Sequence, residues 1–149
     1  MYANMVNSPG LLETYLHGYE IFRKESGFSA VEQEVIFLTI SYLNNCNYCM
    51  AAHSVITDKI SMVPAIITEA VRQGKDIAEQ KLQTFSSFAK EMFVTRGRPK
   101  KETVEQFLSV GYSEKQILEI ILALAVKTLS NYSIHIFGTK VDAMFKERE

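Results

Sequence analysis

Three observations predict an all-α fold, a single-domain bundle of six to eight helices. Apolar residues recur at helical spacing along most of the chain, and no segment alternates strictly enough to compete as a strand. Breakers are scarce, with 3 Pro and 7 Gly in 149 residues, which suits long helices better than a turn-rich β-sandwich. Capping signals precede several of the apolar runs. The length is that of one domain, read as residues 1–149. A content of 47% hydrophobic and 22% charged residues excludes a disordered or low-complexity chain.

The elements follow in order. Pro9-Gly10 opens a helix with Leu11, Leu12, Tyr15, Leu16, Tyr19 and Phe22 on one face, and Ser26-Gly27 closes it. Ser29-x-x-Glu32 is a capping box for a second helix carrying Val31, Val35, Ile36, Leu38, Ile40, Tyr42 and Leu43, which ends at Asn44-Asn45. A third helix starts at Cys46 or Asn47, runs through His53 to about Ile56, and is expected to break at Thr57-Asp58. Pro64 suits the first turn of a short fourth helix that ends near Gly74. Asp76-x-x-Glu79 is a capping signal for a fifth, with Ile77, Leu82, Phe85, Phe88, Ala89, Met92 and Phe93 as its apolar face. Arg96-Gly97-Arg98-Pro99 is a turn, and a short helix from Glu102 to Val110 is closed by Gly111.

Ser113-x-x-Gln116 caps the most apolar helix, with Ile117, Leu118, Ile120, Ile121, Leu122, Leu124, Val126 and Leu129. Apolar on nearly all faces, it is expected at the centre of the fold or of an oligomer. Gly138 interrupts it, and Val141, Ala143, Met144 and Phe145 form a last amphipathic turn or two.

Composition also bounds function. Lys and Arg total 16 against 17 Asp and Glu, a net charge of −1, so no global basic field is present to hold nucleic acid or an anionic membrane. The apolar run from Ile117 to Val126 is short of the ~20 residues that span a bilayer, and the N-terminus lacks a basic, then apolar, leader. A reducing cytosol, hence a cytoplasmic protein, is the expectation. Arg96-Gly97-Arg98-Pro99-Lys100-Lys101 resembles a minor-groove-reading hook, but a single copy in a neutral chain reads as a cationic interhelix turn. His135, near the end of the most apolar helix, reads as a satisfied core or interface histidine. No Gly-rich phosphate loop or nucleotide fingerprint is present.

The 2 cysteines are too few for a disulfide scaffold, yet Cys46 and Cys49 form a Cys-x-x-Cys. That spacing arises by chance roughly once in a hundred placements. Cys46 and Cys49 are three apart, Cys49 and His53 four apart, so one helix face presents all three. Such a face can close a reversible disulfide with an imidazole beside it. The helix N-terminus favours a thiolate, and a neighbouring His can take the thiol proton. Glu34, one helix earlier, shares a stripe with Val31, Phe37, Leu38 and Ser41, so its carboxylate is expected to be buried and to need a partner. The rival reading is a zinc shell of Cys46, Cys49, His53 and Glu34, though zinc frameworks usually pair a Cys-x-x-Cys with a second, distant pair.

The string Glu34-x3-Leu38-x2-Ser41-x2-Asn44-x-Cys46-x-Tyr48-Cys49-x3-His53 resembles the core motif of alkylhydroperoxidase D-like proteins, within the carboxymuconolactone decarboxylase superfamily. Asn131, His135 and Gly138 are similar to that family's closing segment. The resemblance implies an all-α fold built around a helical hairpin, and a homo-oligomer, trimer or hexamer. It implies that Cys49 attacks a hydroperoxide, Cys46 resolves the sulfenic acid to a disulfide, His53 accepts the Cys49 proton, and Glu34 orients His53. An external dithiol, in the family's best-known members a lipoyl-type carrier, reduces the disulfide. No metal, haem or flavin cofactor is implied. Tyr48 stands where the founding branch has a His, which removes a base from the relay and implies lower peroxidase turnover. A slow redox-sensing oligomer is the alternative of a different class. Lactone decarboxylation is weaker, because that branch generally lacks the cysteines.

Overall fold

The computed structural model describes residues 1–149. The chain folds as eight α-helices: α1 (Tyr2–Met5), α2 (Pro9–Glu25), α3 (Ala30–Leu43), α4 (Asn47–Lys59), α5 (Ala65–Arg72), α6 (Gln80–Val94), α7 (Lys101–Ser109) and α8 (Glu114–Ile136), followed by a 3-10 helix (Ala143–Arg148) and no strand. The all-α expectation stands.

Capping accounts for most of the boundaries. The Ser29 hydroxyl accepts from the Glu32 N–H, and the Glu32 carboxylate returns a bond to the Ser29 N–H. Ser113 and Gln116 do the same for α8, so both expected capping boxes are present. At α6 the expected box is replaced by Glu79 alone, whose carboxylate accepts from the Lys81 and Leu82 N–H groups. Asp76 instead accepts from the Gln83 side chain. α1 went unseen because it has only four residues and no side-chain cap.

The third helix does not break at Thr57-Asp58. α4 continues to Lys59, because the Thr57 hydroxyl donates to the Ser54 carbonyl inside the helix, and Thr57 is fully buried. A Thr that bonds back to its own helix is tolerated in its interior.

α3 forms the centre. Every residue from Glu32 to Ser41 is buried, and α3 packs against α4, α5, α6 and α8. Of the two places expected for the Ile117–Leu129 helix, the centre of the fold is thus taken by α3, and the centre of an oligomer is the one left to it. On α8, Ile120, Ala123 and Val126 face inward, while Leu118 is 65% exposed and Ile136 is 80% exposed. By length and composition alone α8 could cross a membrane, but it packs here against α2, α3 and α6.

The main core is aromatic. Phe22, Phe37, Phe85, Phe88 and Phe107 are fully buried, and Phe107 stacks on both Phe88 and Tyr112 with ring centroids 4.3 and 4.5 Å apart. Such contacts add about 0.5–1.5 kcal/mol per pair beyond burial. Gly18 lets α2 come close to α8, since a Cβ there would stand 3.1 Å from Val126 Cγ2. A second, smaller cluster joins Cys46, Tyr48, Cys49, Ala51, Ile134 and Val141. It lies where α4 meets the end of α8 and the 3-10 helix.

Candidate active site

The α3–α4 turn places the two thiols. The Cys46 N–H bonds to the Ser41 carbonyl and the Asn45 N–H to the Tyr42 carbonyl, both at 2.9 Å. Asn45 adopts the left-handed conformation, φ 53°. This is a helix-terminating Schellman pattern with Asn in the place glycine usually takes. The same Cys46 is the N-cap of α4, so the hairpin reverses within two residues. Cys46 therefore precedes the helix, and Cys49 sits in its first turn, where unpaired N–H groups favour an anion. Both are reduced and buried, Cys46 at 1% and Cys49 at 3% exposure.

Glu34 is fully buried and doubly paired, as the stripe of apolar neighbours required. Its Oε1 meets Arg23 Nη1 at 2.5 Å and its Oε2 meets His53 Nδ1 at 2.9 Å. Burial alone would raise the Glu34 carboxyl. The hydrogen bond from His53 and the charge of Arg23 outweigh burial and hold it below the usual carboxylate range. Arg23 is fixed in turn by Gln33 Oε1 at 3.1 Å and the Tyr19 hydroxyl at 2.7 Å, and its guanidinium lies 4.8 Å from the Phe37 ring centroid.

Burial, and then the positive charge of Lys127, push His53 down to about 4. His53 is thus neutral at pH 7. Its Nδ1–H donates to Glu34, which leaves Nε2 as an unprotonated acceptor. With His53 neutral, the charge that compensates Glu34 is Arg23.

The Cys49 thiol is lowered to about 6, first by its hydrogen bond with Cys46, then by Lys127 and Asn131 against the opposing effect of burial. Cys46 moves upward through the same hydrogen bond and its own burial. Asn131 Nδ2 donates to Cys49 Sγ at 2.7 Å, and Asn44 Nδ2 donates to Asn131 Oδ1 at 2.9 Å. Asn44 thus turns the Asn131 amide so that its donor end faces the sulfur.

Cys49 and His53 open together onto a cavity of about 140 Å³. Tyr2, Tyr15, Tyr19, Phe145 and Lys127 also line it. The 3-10 helix that brings Phe145 is held by a 2.6 Å bond from the Tyr48 hydroxyl to Asp142 and by an ion pair of Arg148 with Glu69 at 2.5 Å. Tyr48 is therefore engaged with the C-terminal segment.

The structure brings Cys46, Cys49, His53 and Glu34 together at the hairpin, but Cys49 makes no direct hydrogen bond to His53. No three of the His, Cys, Asp and Glu side chains converge as metal ligands would, and both Glu34 oxygens are engaged by Arg23 and His53. Asn131, singled out by resemblance alone, contacts the sulfur. His135 is exposed and rests beside Tyr132, ring centroids 6.4 Å apart, which corrects the core half of its reading as a core or interface histidine. The helix rotates it away from the inward face that Ile134 occupies. Arg23 and Lys127 were missed. The available signal for Lys127 was a lone charge in the last turns of an apolar helix, four residues before Asn131.

The family model described as carboxymuconolactone decarboxylase family matches residues 9–90, a span holding Arg23, Glu34, both cysteines and His53. Two solved structures are similar in fold. An uncharacterized peroxidase-related protein from Ralstonia eutropha JMP134, described as an alkylhydroperoxidase AhpD core, superposes with a TM-score of 0.82 at 20% identity over 95% of this chain and 75% of that one. An uncharacterized peroxidase-related protein from Silicibacter sp. TM1040 gives 0.77 at 20% identity over 90% and 71%. No curated protein matches.

Proposed function

The chain belongs to the carboxymuconolactone decarboxylase family, and from the site its own residues build we propose that it is a thiol peroxidase that reduces organic hydroperoxides. The single observation that carries this reading is the lowered Cys49 thiol, opening with His53 onto a small, largely apolar cavity beside a second thiol held in its protonated form. An attacking thiolate and a resolving thiol able to reach it are what a two-cysteine peroxide cycle requires, and Cys46 stands three residues before Cys49 at the helix start.

The Cys49 thiolate attacks the terminal oxygen of the hydroperoxide. An S–O bond forms, the O–O bond breaks, and an alcohol leaves once its oxygen is protonated. Cys46 then attacks the sulfenic sulfur, and water and the Cys46–Cys49 disulfide result. An external dithiol, such as a lipoyl-type carrier, restores both thiols by exchange. His53 Nε2 passes protons between the thiol and solvent, and Glu34 holds His53 in the tautomer that leaves Nε2 free. Because His53 is pushed down to about 4, below the Cys49 thiol, it hands a proton on and does not hold it. This reading places the protein in a reducing cytosol, as an oligomer formed through the exposed apolar residues of α8, with no metal or prosthetic group in the cycle.

The test is hydroperoxide consumption by the reduced protein with a dithiol. Cys49→Ser is expected to lose nearly all activity and His53→Ala about 10²-fold. Wild-type turnover in Cys49→Ser refutes the mechanism. A slow redox sensor would show normal disulfide formation with negligible turnover.

A further inference from the structure

Lys127 is 2% exposed and lines the cavity shared by Cys49 and His53. It forms no ion pair with any carboxylate, whereas the buried Glu34 charge has Arg23. A buried ammonium without an anion is costly, so such a lysine is expected to face one. The groups around it are few. From α3 come the Phe37 ring, 5.6 Å from Nζ to its centroid, and Glu34, whose two oxygens are taken by Arg23 of α2 and His53 of α4. From α1 and α2 come the Tyr2, Tyr15 and Tyr19 hydroxyls, with the chain's first residue Met1 beside them, and from α4 Tyr48, Cys49 and the neutral His53; Cys46, the N-cap of α4, also feels the Lys127 charge. Burial raises the Tyr15, Tyr19 and Tyr48 hydroxyls, so they stay neutral. The remaining group able to carry a negative charge beside Lys127 is a cysteine sulfur. α8 already turns this face to it: Asn131, one turn on from Lys127, donates to Cys49 Sγ.

We propose that Lys127 is a catalytic residue of this site, the counter-ion of the Cys49 thiolate and the proton donor to the oxygen released when the O–O bond breaks. The first role is independent of the substrate, and the second rests on the peroxidase reading above. In the balanced step the Cys49 thiolate, a hydroperoxide and the Lys127 ammonium become a Cys49 sulfenic acid, an alcohol and a neutral Lys127 amine. The sulfur is oxidised by two electrons and the peroxide reduced by two. Cys46 then displaces the sulfenic hydroxyl, which leaves as water with the Cys46 proton. When the external dithiol regenerates the Cys49 thiol, the Lys127 amine takes its proton, and the ion pair is restored.

The two roles are read separately. The pH dependence of alkylation of the reduced full chain by iodoacetamide, followed at Cys49 by peptide mass spectrometry, reports the thiolate without any peroxide. Lys127→Met is expected to move that profile toward alkaline pH and to slow alkylation at pH 6 at least tenfold. Lys127→Arg keeps the charge and holds the wild-type profile. Lys127→Gln is the second neutral variant and must shift in the same direction. A profile unmoved in both neutral variants overturns the proposal.

Single-turnover oxidation by tert-butyl hydroperoxide, with each rate divided by the thiolate fraction that the alkylation profile of the same variant gives at that pH, tests the donor. A remaining deficit of tenfold or more in Lys127→Met supports it, and equal rates overturn that half. If wild-type protein does not react with the hydroperoxide while the alkylation profile still shifts, the peroxidase reading fails and the Lys127–Cys49 pair stands.

Discussion

The α3–α4 hairpin and α8 both bound the thiol cavity, and they do so with different chemistry. On the hairpin side, Arg23, Glu34 and His53 form a closed chain in which each oxygen of the buried carboxylate has its own donor. On the α8 side, Asn131 and Lys127 face the sulfur, and Lys127 has no carboxylate of its own. The first arrangement is neutral overall at His53 and fixes geometry. The second leaves a charge uncompensated until the thiol ionises. A closed network stabilises the fold, whereas an open cation lowers the energy of one ionised state of a reactive group.

Breaking the closed side has the largest consequence for stability. Arg23→Met leaves the Glu34 charge buried beside a neutral His53 and is expected to destabilise the fold by about 3–5 kcal/mol, measured by urea denaturation at pH 7. A smaller loss would mean that water or His53 protonation compensates Glu34.

The next effect is on pH dependence. His53 is lowered from 6.5 to about 4 in the fold, so between those values the unfolded chain binds more protons. Stability is full above about pH 6.5 and is lost as pH falls through about 4. The single group accounts for an order of 3 kcal/mol across that window. His53→Gln removes this part of the slope, seen as a flatter curve of unfolding free energy from pH 4 to 7. An unchanged curve would show that His53 is not buried neutral.

The smallest expected changes are on the α8 side. Asn131→Ala removes one hydrogen bond to the thiolate and should slow Cys49 oxidation about tenfold. Asn44→Ala, which acts by positioning Asn131, should slow it about threefold by the same reasoning and shift the Cys49 alkylation profile in the same direction. If Asn44→Ala matches wild type in both, the Asn131 amide is held by other contacts.

The helical class, the hairpin and its four polar residues were legible because each rests on local rules. Ser29 and Glu32 cap one turn, Asn44-Asn45 ends a helix, and residues three and four apart share a face. The burial of Glu34 was legible from its stripe of apolar neighbours, but its second partner was not: Arg23 lies on a separate helix, and no spacing rule links it to Glu34. Thr57 shows the converse, a residue whose local propensity to break the helix is overridden by burial. His135 and Lys127 show it on one helix. Both follow an apolar run, and only the packing of α8 against α2, α3 and α6 turns Lys127 inward and His135 outward.

By itself, then, the sequence determined which residues can meet within one hairpin, since helical periodicity operates over a turn or two. Which charges stand opposite the buried Glu34 carboxylate and opposite the thiol was decided by tertiary structure. The residues that set it, Arg23 and Lys127, come from helices far apart in the chain, and only close packing of the whole bundle excludes the water that would otherwise screen them.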